Sequence, residues 1–455
     1  MVFSRHPSPR LLVCLALAAL GAGLCALLMP AEYRAVQDQL VNFPDSDVLT
    51  HQARPWVLAV LCFLPALGGL VYALGGTLDR YLIRLFLGIF GICMAALVTI
   101  WLLIDLSDKI GDFINCRHVL RAIGSYYMSR SPAIMVLLLP YCLLLSVLQT
   151  LGKLSTNREI IAMIQSGRGI LRLTRSLLAV GGFCTLLSLG LNYHWAPVSE
   201  GRRDDILAQA SGKTTNEATQ VLYRNSKDRR LWMIGSFPPD YHKGNPLRHV
   251  EVTTTDANQR LESRLFASQA RWNRSTHQWT FENAIIGHYV PGRSPEFEKF
   301  EKPLIVDSWS ETPWQLIKPG LTAGELGLPD LSDWLKSHAR HRAFSDRNPY
   351  LTQWHYRWAL PFTCLVTVLF ATPLAIHFSR RSSGGGIFLA VLLSSFMLLS
   401  SNVALAFGES GTLRPAVAAW LPTLTFALLG IYLYHRRLTG RPIYQSLRHL
   451  LPGTP

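Results

Sequence analysis

Cysteine is missing altogether from residues 196–357, the longest polar stretch of this 455-residue sequence. A disulfide framework is excluded there, so that stretch must hold itself together by an apolar core. The cysteines elsewhere are Cys14, Cys25, Cys62, Cys93, Cys116, Cys142, Cys184 and Cys364. All but Cys116 sit in apolar runs, where a thiol behaves as a small hydrophobe. No C-x-x-C pair or His/Cys cluster occurs, so no zinc site is indicated. G-x-S-x-G, H-E-x-x-H and the phosphate-cradling G-x-x-x-x-G-K-[ST] are absent too, and the chain encodes no P-loop ATPase of its own. His277, His288, His338 and His341 fall in turn, strand and surface-helix contexts, where a lone histidine is ordinarily structural or solvated. No catalytic residue, metal site or cofactor is expected.

Charge is sparse as well. Only 16% of residues are charged, and 29 acidic residues face 44 basic ones, for a net charge of +15. A basic balance suits nucleic acid, but neither a zinc-finger spacing nor an aromatic-interleaved basic patch supports that reading. The cations instead collect beside apolar runs, and the mean hydropathy is positive at +0.21. That combination defines a membrane protein.

Eight apolar runs are near the 20 residues that cross a bilayer core: 11–29, 56–74, 85–104, 132–151, 176–195, 358–376, 387–407 and 416–434. Trp56, Trp101, Trp195, Trp358, Trp420, Tyr432 and Tyr434 mark their ends, as interfacial rings do. Arg5 and Arg10 precede the first run as in a signal peptide. That run is long for one, however, and no A-x-A site precedes Pro30 and Glu32, so an uncleaved helix is expected. Basic clusters at Arg5/Arg10, Arg80/Arg84, Lys153–Arg175, Arg380/Arg381 and Arg436–Arg441 all fall on one side. Both termini are therefore expected in the cytoplasm, with 32–54, 105–131, 196–357 and 408–415 opposite. Lys109, Arg117, Arg121 and Arg130 break this bias.

The segment 196–357, roughly 160 residues, has the size of one domain. Alternation places Val250 and Val252, then Trp279 and Phe281, on one face. Residues 231–234 and 285–289 are further short apolar runs, and 273–277 reads as a turn joining 265–272 to 279–281. Short strands with regular turns predict a sandwich, jelly roll or open barrel. Ser332 reads as the N-cap of a short helix carrying Leu331, Trp334 and Leu335 back to the membrane. Gly384–Gly386 reads as a turn between two spans.

From Leu78 onward the order of parts resembles the LptF/LptG (YjgP/YjgQ) permeases of lipopolysaccharide export. The resemblance rests on Leu78-Asp79-Arg80-Tyr81 before a span, 137–140 within the next, and Gly152-Lys153-Leu154-Ser155 after it. Arg158-Glu159-Ile160-Ile161-Ala162 and Gly167 follow, then 192–197. Beyond the β-rich insert come His355–Pro361 (H-Y-R-W-A-L-P), 379–386 and 418–422. Each motif alone is weak, and their order is what carries the likeness. The family has six spans, so this chain adds two before Asp79.

The fold expected is an α-helical polytopic membrane protein of about eight spans, six of them the permease core, with an inserted periplasmic all-β jelly-roll-like domain. Its parts are an N-terminal extension (1–77), the first three family spans (78–195), the β-domain (196–357) and the last three spans with a tail (358–455). The resemblance implies a bacterial inner-membrane subunit that extracts lipopolysaccharide. Its implied partners are a cytoplasmic ABC ATPase dimer (LptB-like) that uses the ATP, a second LptF/LptG-type permease, and LptC/LptA-like periplasmic bridge proteins. A jelly roll would offer acyl chains a greasy groove. Residues 156–167 are the expected ATPase-coupling helix, capped by Asn157 and presenting Arg158, Glu159, Ile160, Ala162, Met163 and Gly167. Lys109, Arg117, Arg121 and Arg130 are candidates for gripping lipid phosphates, against a plainer reading as partners of Asp105, Asp108 and Asp112. Other classes are a membrane-anchored scaffold or sensor and an integral lipid-modifying enzyme. The short loops lack the His, Asp or Glu cluster that an enzyme needs.

Overall fold

The computed structural model describes residues 9–40, 48–114, 118–167, 169–201, 218–225, 228–238, 245–256, 260–273, 276, 278–290, 292, 294–307, 309, 311–317, 322–337, 347–376 and 384–438. Arg117, Cys116, His277, His338 and His341 lie outside them. Among the described residues, seven helices precede the sheet: α1 (Pro9–Leu40), α2 (Val48–Leu74), α3 (Thr77–Ile114), α4 (Val119–Thr156), α5 (Glu159–Gln165), α6 (Ile170–Tyr193) and α7 (Trp195–Gly201). Six follow it: α8 (Pro313–Ile317), α9 (Leu328–Ser337), α10 (Asn348–Ala359), α11 (Phe362–Ala375), α12 (Gly384–Glu409) and α13 (Pro415–Leu438). Among the described residues, seven helices are long and apolar enough to cross a membrane, and the pair α10–α11, bent by 49°, adds an eighth if taken as one span.

The expected 358–376 span is therefore two helices, broken at Pro361, which cannot continue a helical hydrogen-bond ladder. Several other expectations need correction. The first helix continues beyond the expected 11–29, through Pro30 to Leu40, and Glu32 within it pairs with Arg54 of α2 at 2.5 Å. Ser332 is no cap: α9 starts at Leu328 with Pro329 and Asp330 in its first turn, and the Ser332 hydroxyl accepts a bond from Trp354 Nε1 at 2.9 Å. Gly384–Gly386 form the first turn of α12 instead of a loop. The helices also outrun the bilayer: α3 and α4 have 38 residues each, about 57 Å at 1.5 Å per residue. The helical core is built on α4, α6 and α11, through Leu139, Leu143, Val147, Leu151, Cys184, Val368 and Phe370.

Between α7 and α8 lies an antiparallel sheet of β1 (Ala218–Asn225), β2 (Arg230–Phe237), β3 (Leu247–Thr255), β4 (Leu261–Asn273), β5 (Gln278–Glu282), β6 (Ile285–His288), β7 (Glu296–Lys299) and β8 (Leu304–Val306). It is a meander in which β5 and β6 lie end to end along one edge of β4. The register runs unbroken from Asn273↔Gln278 to Ser263↔His288. The interruption falls at Asn283, whose φ of 54° lies in the left-handed region and whose amide donates to Ser268 Oγ at 3.0 Å. β8 then pairs with β5 and β7 with β6, so the bend is carried across two lines of the sheet.

Alternation puts Trp232, Ile234, Val250, Val252, Leu265, Trp279 and Phe281 on one buried face, covered by Leu316 and Ile317 of α8. The period-two reading of Val250/Val252 and Trp279/Phe281 is matched, as is the hairpin that pairs Trp272 with Trp279. Trp232, Trp279 and Trp309 stack around Phe281 at centroid distances of 5.2–6.1 Å. Trp279 Nε1 donates to the Glu311 carbonyl at 2.7 Å. The buried Glu311 carboxylate accepts from Arg230 Nε at 2.8 Å and Asn225 Nδ2 at 2.7 Å. Each such ring buries on the order of 150–250 Å², which makes this cluster the main source of the domain's stability. Trp279→Ala is expected to destabilise the sheet by about 3–5 kcal/mol. Leu222→Ala, on the exposed face, should change it by no more than about 0.5 kcal/mol. Amide exchange across the strands distinguishes the two.

Candidate functional site

Two polar clusters occupy opposite ends of α3 and α4. On α4, Arg130 and Thr156 are about 40 Å apart along the axis at 1.5 Å per residue, more than a bilayer core of about 30 Å.

The first cluster surrounds α5. The chain leaves α4 through Asn157, whose N–H closes that helix on the Lys153 carbonyl, and reverses at Arg158, at φ 60°. The expected cap is thus corrected: Asn157 ends α4, and its side chain reaches forward to Glu159 Oε1 at 3.1 Å. The helix expected over 156–167 is the shorter Glu159–Gln165. It ends where Gly167, at φ 82°, donates its N–H to the Ile164 carbonyl at 3.0 Å, a left-handed turn that suits glycine.

Ile160 is buried in the helical core, with Met163 and Ile164 packed against it. Arg158, Ala162, Gln165, Ser166 and Gly167 are exposed. Glu159 accepts from the Tyr81 hydroxyl at 2.8 Å. Two residues earlier, Asp79 accepts from Ser176 Oγ at 2.7 Å, Gly76 N–H at 3.2 Å and Arg175 at 3.2 Å. The Leu78–Tyr81 motif thus holds α3 to α6 through its aspartate and to α5 through its tyrosine.

The second cluster is built on Arg130. Its guanidinium donates to both oxygens of Glu200 at 3.0 and 3.1 Å, to Asp105 Oδ1 at 3.0 Å and to the Tyr126 hydroxyl at 2.8 Å. It also lies 5.1 Å from the Trp101 ring centroid. Only 8% of the Arg130 side chain is exposed, against 39% of Glu200. Asp105, Arg130 and Glu200 belong to α3, α4 and α7, so this one cation joins three helices, and α7 leads into the sheet. Of the four cations singled out in the sequence, the structure separates Arg130 from Arg121, which is exposed, and Lys109, which is half-buried. Arg117 lies outside the described residues. No local pattern singles out Glu200, which is 70 residues from its partner.

A third set of contacts ties the helices flanking the sheet. Asn192 Nδ2 donates to the Arg357 carbonyl at 2.8 Å, and Arg357 NH1 returns a bond to Asn192 Oδ1 at 3.3 Å. Gln353 reaches Glu409 at 2.6 Å, joining α10 to α12. The quoted motifs 192–197 and 355–361 therefore meet in space.

Helices long and apolar enough to cross a membrane, interrupted midway by an antiparallel sheet, define the class of a multi-pass membrane protein with an inserted β-domain. Residues 80–436 match the family model of the lipopolysaccharide export system permease LptF/LptG, and the chain belongs to that family. It is accordingly a multi-pass inner-membrane protein, a transport subunit of the lipopolysaccharide export system and not itself a catalytic enzyme. No curated protein gives a significant match to the sequence.

Tyr81→Phe removes one exposed hydrogen bond and is expected to loosen α5 by roughly 0.5–1 kcal/mol. Asp79→Ala strips three donors of their acceptor and should cost about 1–3 kcal/mol. Hydrogen exchange within Glu159–Gln165 should rise in both variants, and within the start of α6 only in the second.

Proposed function

We propose that this chain is one of two homologous permeases lining an export pathway, driven by a separate cytoplasmic ABC ATPase dimer of the LptB type. The observation that carries this is α5. Ile160 anchors it in the bundle and Tyr81 holds its first residue, while Arg158, Ala162, Gln165 and Ser166 are left outward. A short helix fixed on its inner side and bare on its outer side suits transmission of a push from a docked ATPase. Arg158, Glu159, Ile160, Ala162, Met163 and Gly167 are assigned to it, the buried members fixing the helix and the exposed ones touching the ATPase. ATP is consumed by that partner, and this chain uses no cofactor.

With α5 cytoplasmic, both termini are cytoplasmic and the β-domain is periplasmic. The basic last turn of α13, with His435, Arg436 and Arg437, supports this orientation. The β-domain hands lipopolysaccharide to an LptC/LptA-like bridge. Because its inner face is filled by Trp232, Trp279 and Phe281, lipid passes beside that core. Lys109, Arg117 and Arg121 are the headgroup candidates. Arg130, enclosed by two carboxylates, is a positioning residue for α7.

Affinity purification of the tagged chain in mild detergent, with mass spectrometry of proteins and lipids, tests this reading. An ATPase, a second permease and lipopolysaccharide are expected in one peak. Ala162→Arg should lose the ATPase and keep the second permease. A chain that runs alone, with neither ATPase nor glycolipid, would overturn the proposal in favour of a membrane-anchored scaffold.

A further inference from the structure

The family match begins at residue 80, so α1 and α2 stand outside it. They are nonetheless built into the bundle. α2 packs on α6 and on α9. Gly190 of α6 lies so close to Leu61 of α2 that a β-carbon there would collide with the leucine, and Gly68 of α2 faces the Phe183 ring. α1 is tied to α2 by the buried Glu32–Arg54 pair. At the same end of α2, the Tyr193 hydroxyl donates to the Thr50 carbonyl at 2.7 Å. Simple anchorage asks only for an apolar span of about 20 residues. Instead α2 buries His51 with Nε2 2.7 Å from Asp333 Oδ2, the two side chains 1% and 4% exposed.

Asp333 lies on α9, the helix between the sheet and α10. α9 is gripped from two other sides: Trp354 of α10 bonds to Ser332 at 2.9 Å, and His194, just after α6, lies 3.9 Å from Asp330. Those two contacts come from residues within the family match. The His51–Asp333 contact is what the additional helices contribute. A carboxylate out of water is tolerated only when paired, and His51 brings α2 into the set of contacts that hold α9.

We propose that the N-terminal hairpin is an intramolecular brace whose partner is α9 of the same chain, and that His51–Asp333 is the joint that sets the stance of the β-domain over the helices. The leading connector, α7, is pinned by Arg130–Glu200. The trailing connector, α9, is pinned by the hairpin. This role concerns the pose of the β-domain and stands independently of the ATPase assignment.

The test is the distance between spin labels carried by non-canonical amino acids at Leu222 on β1 and Leu428 on α13, both exposed, in the full chain. His51→Ala and Asp333→Asn are each expected to broaden the distance distribution. Both should raise amide exchange within Leu328–Ser337 by about ten-fold or more. The exchanged pair, His51→Asp with Asp333→His, should restore the narrow distribution, which general damage to the fold would not permit. Single variants that leave the distribution and the exchange unchanged would overturn the brace, as would an exchanged pair no better than the single variants.

Discussion

A guanidinium taken out of water must be met by carboxylates or it will not stay there, and Arg130 shows how far the bundle is organised by that demand. Asp105 and Glu200 reach it from two other helices, and Trp101 and Tyr126 supply ring faces and a hydroxyl. Removal of either carboxylate leaves the guanidinium with one carboxylate in place of two, and the loss is greater for Asp105 than for the more exposed Glu200. This pairing fixes α7 against α3 and α4. The same rule acts on the trailing side, where Asp333 is met by His51. Apolar packing sets the membrane helices beside one another. The buried ion pairs add to that packing by fixing named polar residues of the connectors.

What could be read in the sequence divides along the same line. The spans, the alternation of Val250 with Val252 and Trp279 with Phe281, and the turn after Asn273 all repeat over a few residues, and local period is visible in a single chain. The motif order was legible too, although Asp79 and Tyr81 gave no hint that they grip different helices. Glu200 with Arg130 and His51 with Asp333 are 70 and 282 residues apart, and no local pattern joins them. Asn157 and Ser332 failed as caps for a related reason. Both are good cap residues by type, but tertiary contacts set where each helix starts, and Asn157 closes one helix where it was expected to open another.

The sheet reflects a different conflict, between a straight ladder and a closed core. Along the inner edge of β4 the register never slips, so β5 and β6 would be one strand by pairing alone. Asn283 turns left-handed between them, and Asn283 and Ser268 hold the kink with a side-chain bond. The kink lets one half of the line pair with β8 and the other with β7, and brings the Trp279–Phe281 half under Leu316 and Ile317. A continuous strand would have kept two more ladder bonds and left those aromatics less covered. Burial of rings of this size outweighs a pair of backbone hydrogen bonds worth about 1 kcal/mol each.

Pro361 brings both themes together inside the helices. A proline has no N–H, so the carbonyl four residues earlier loses its helical donor, and that carbonyl belongs to Arg357. In a membrane-crossing segment an unsatisfied carbonyl has no water to turn to. Asn192 of α6 donates its side-chain amide to this very oxygen at 2.8 Å and accepts from the Arg357 guanidinium in return. The bend of 49° between α10 and α11 is thereby stabilised from a helix on the other side of the β-domain in sequence. Neither Asn192 nor Pro361 makes physical sense alone: the asparagine would be a buried amide without purpose, and the proline would leave an open gap in the ladder. Together they fasten α6, the last apolar span before the β-domain, to the broken span after it. Motion of α7 must therefore pass through α3 and α4, and motion of α9 through α6, α10 or the hairpin that braces it.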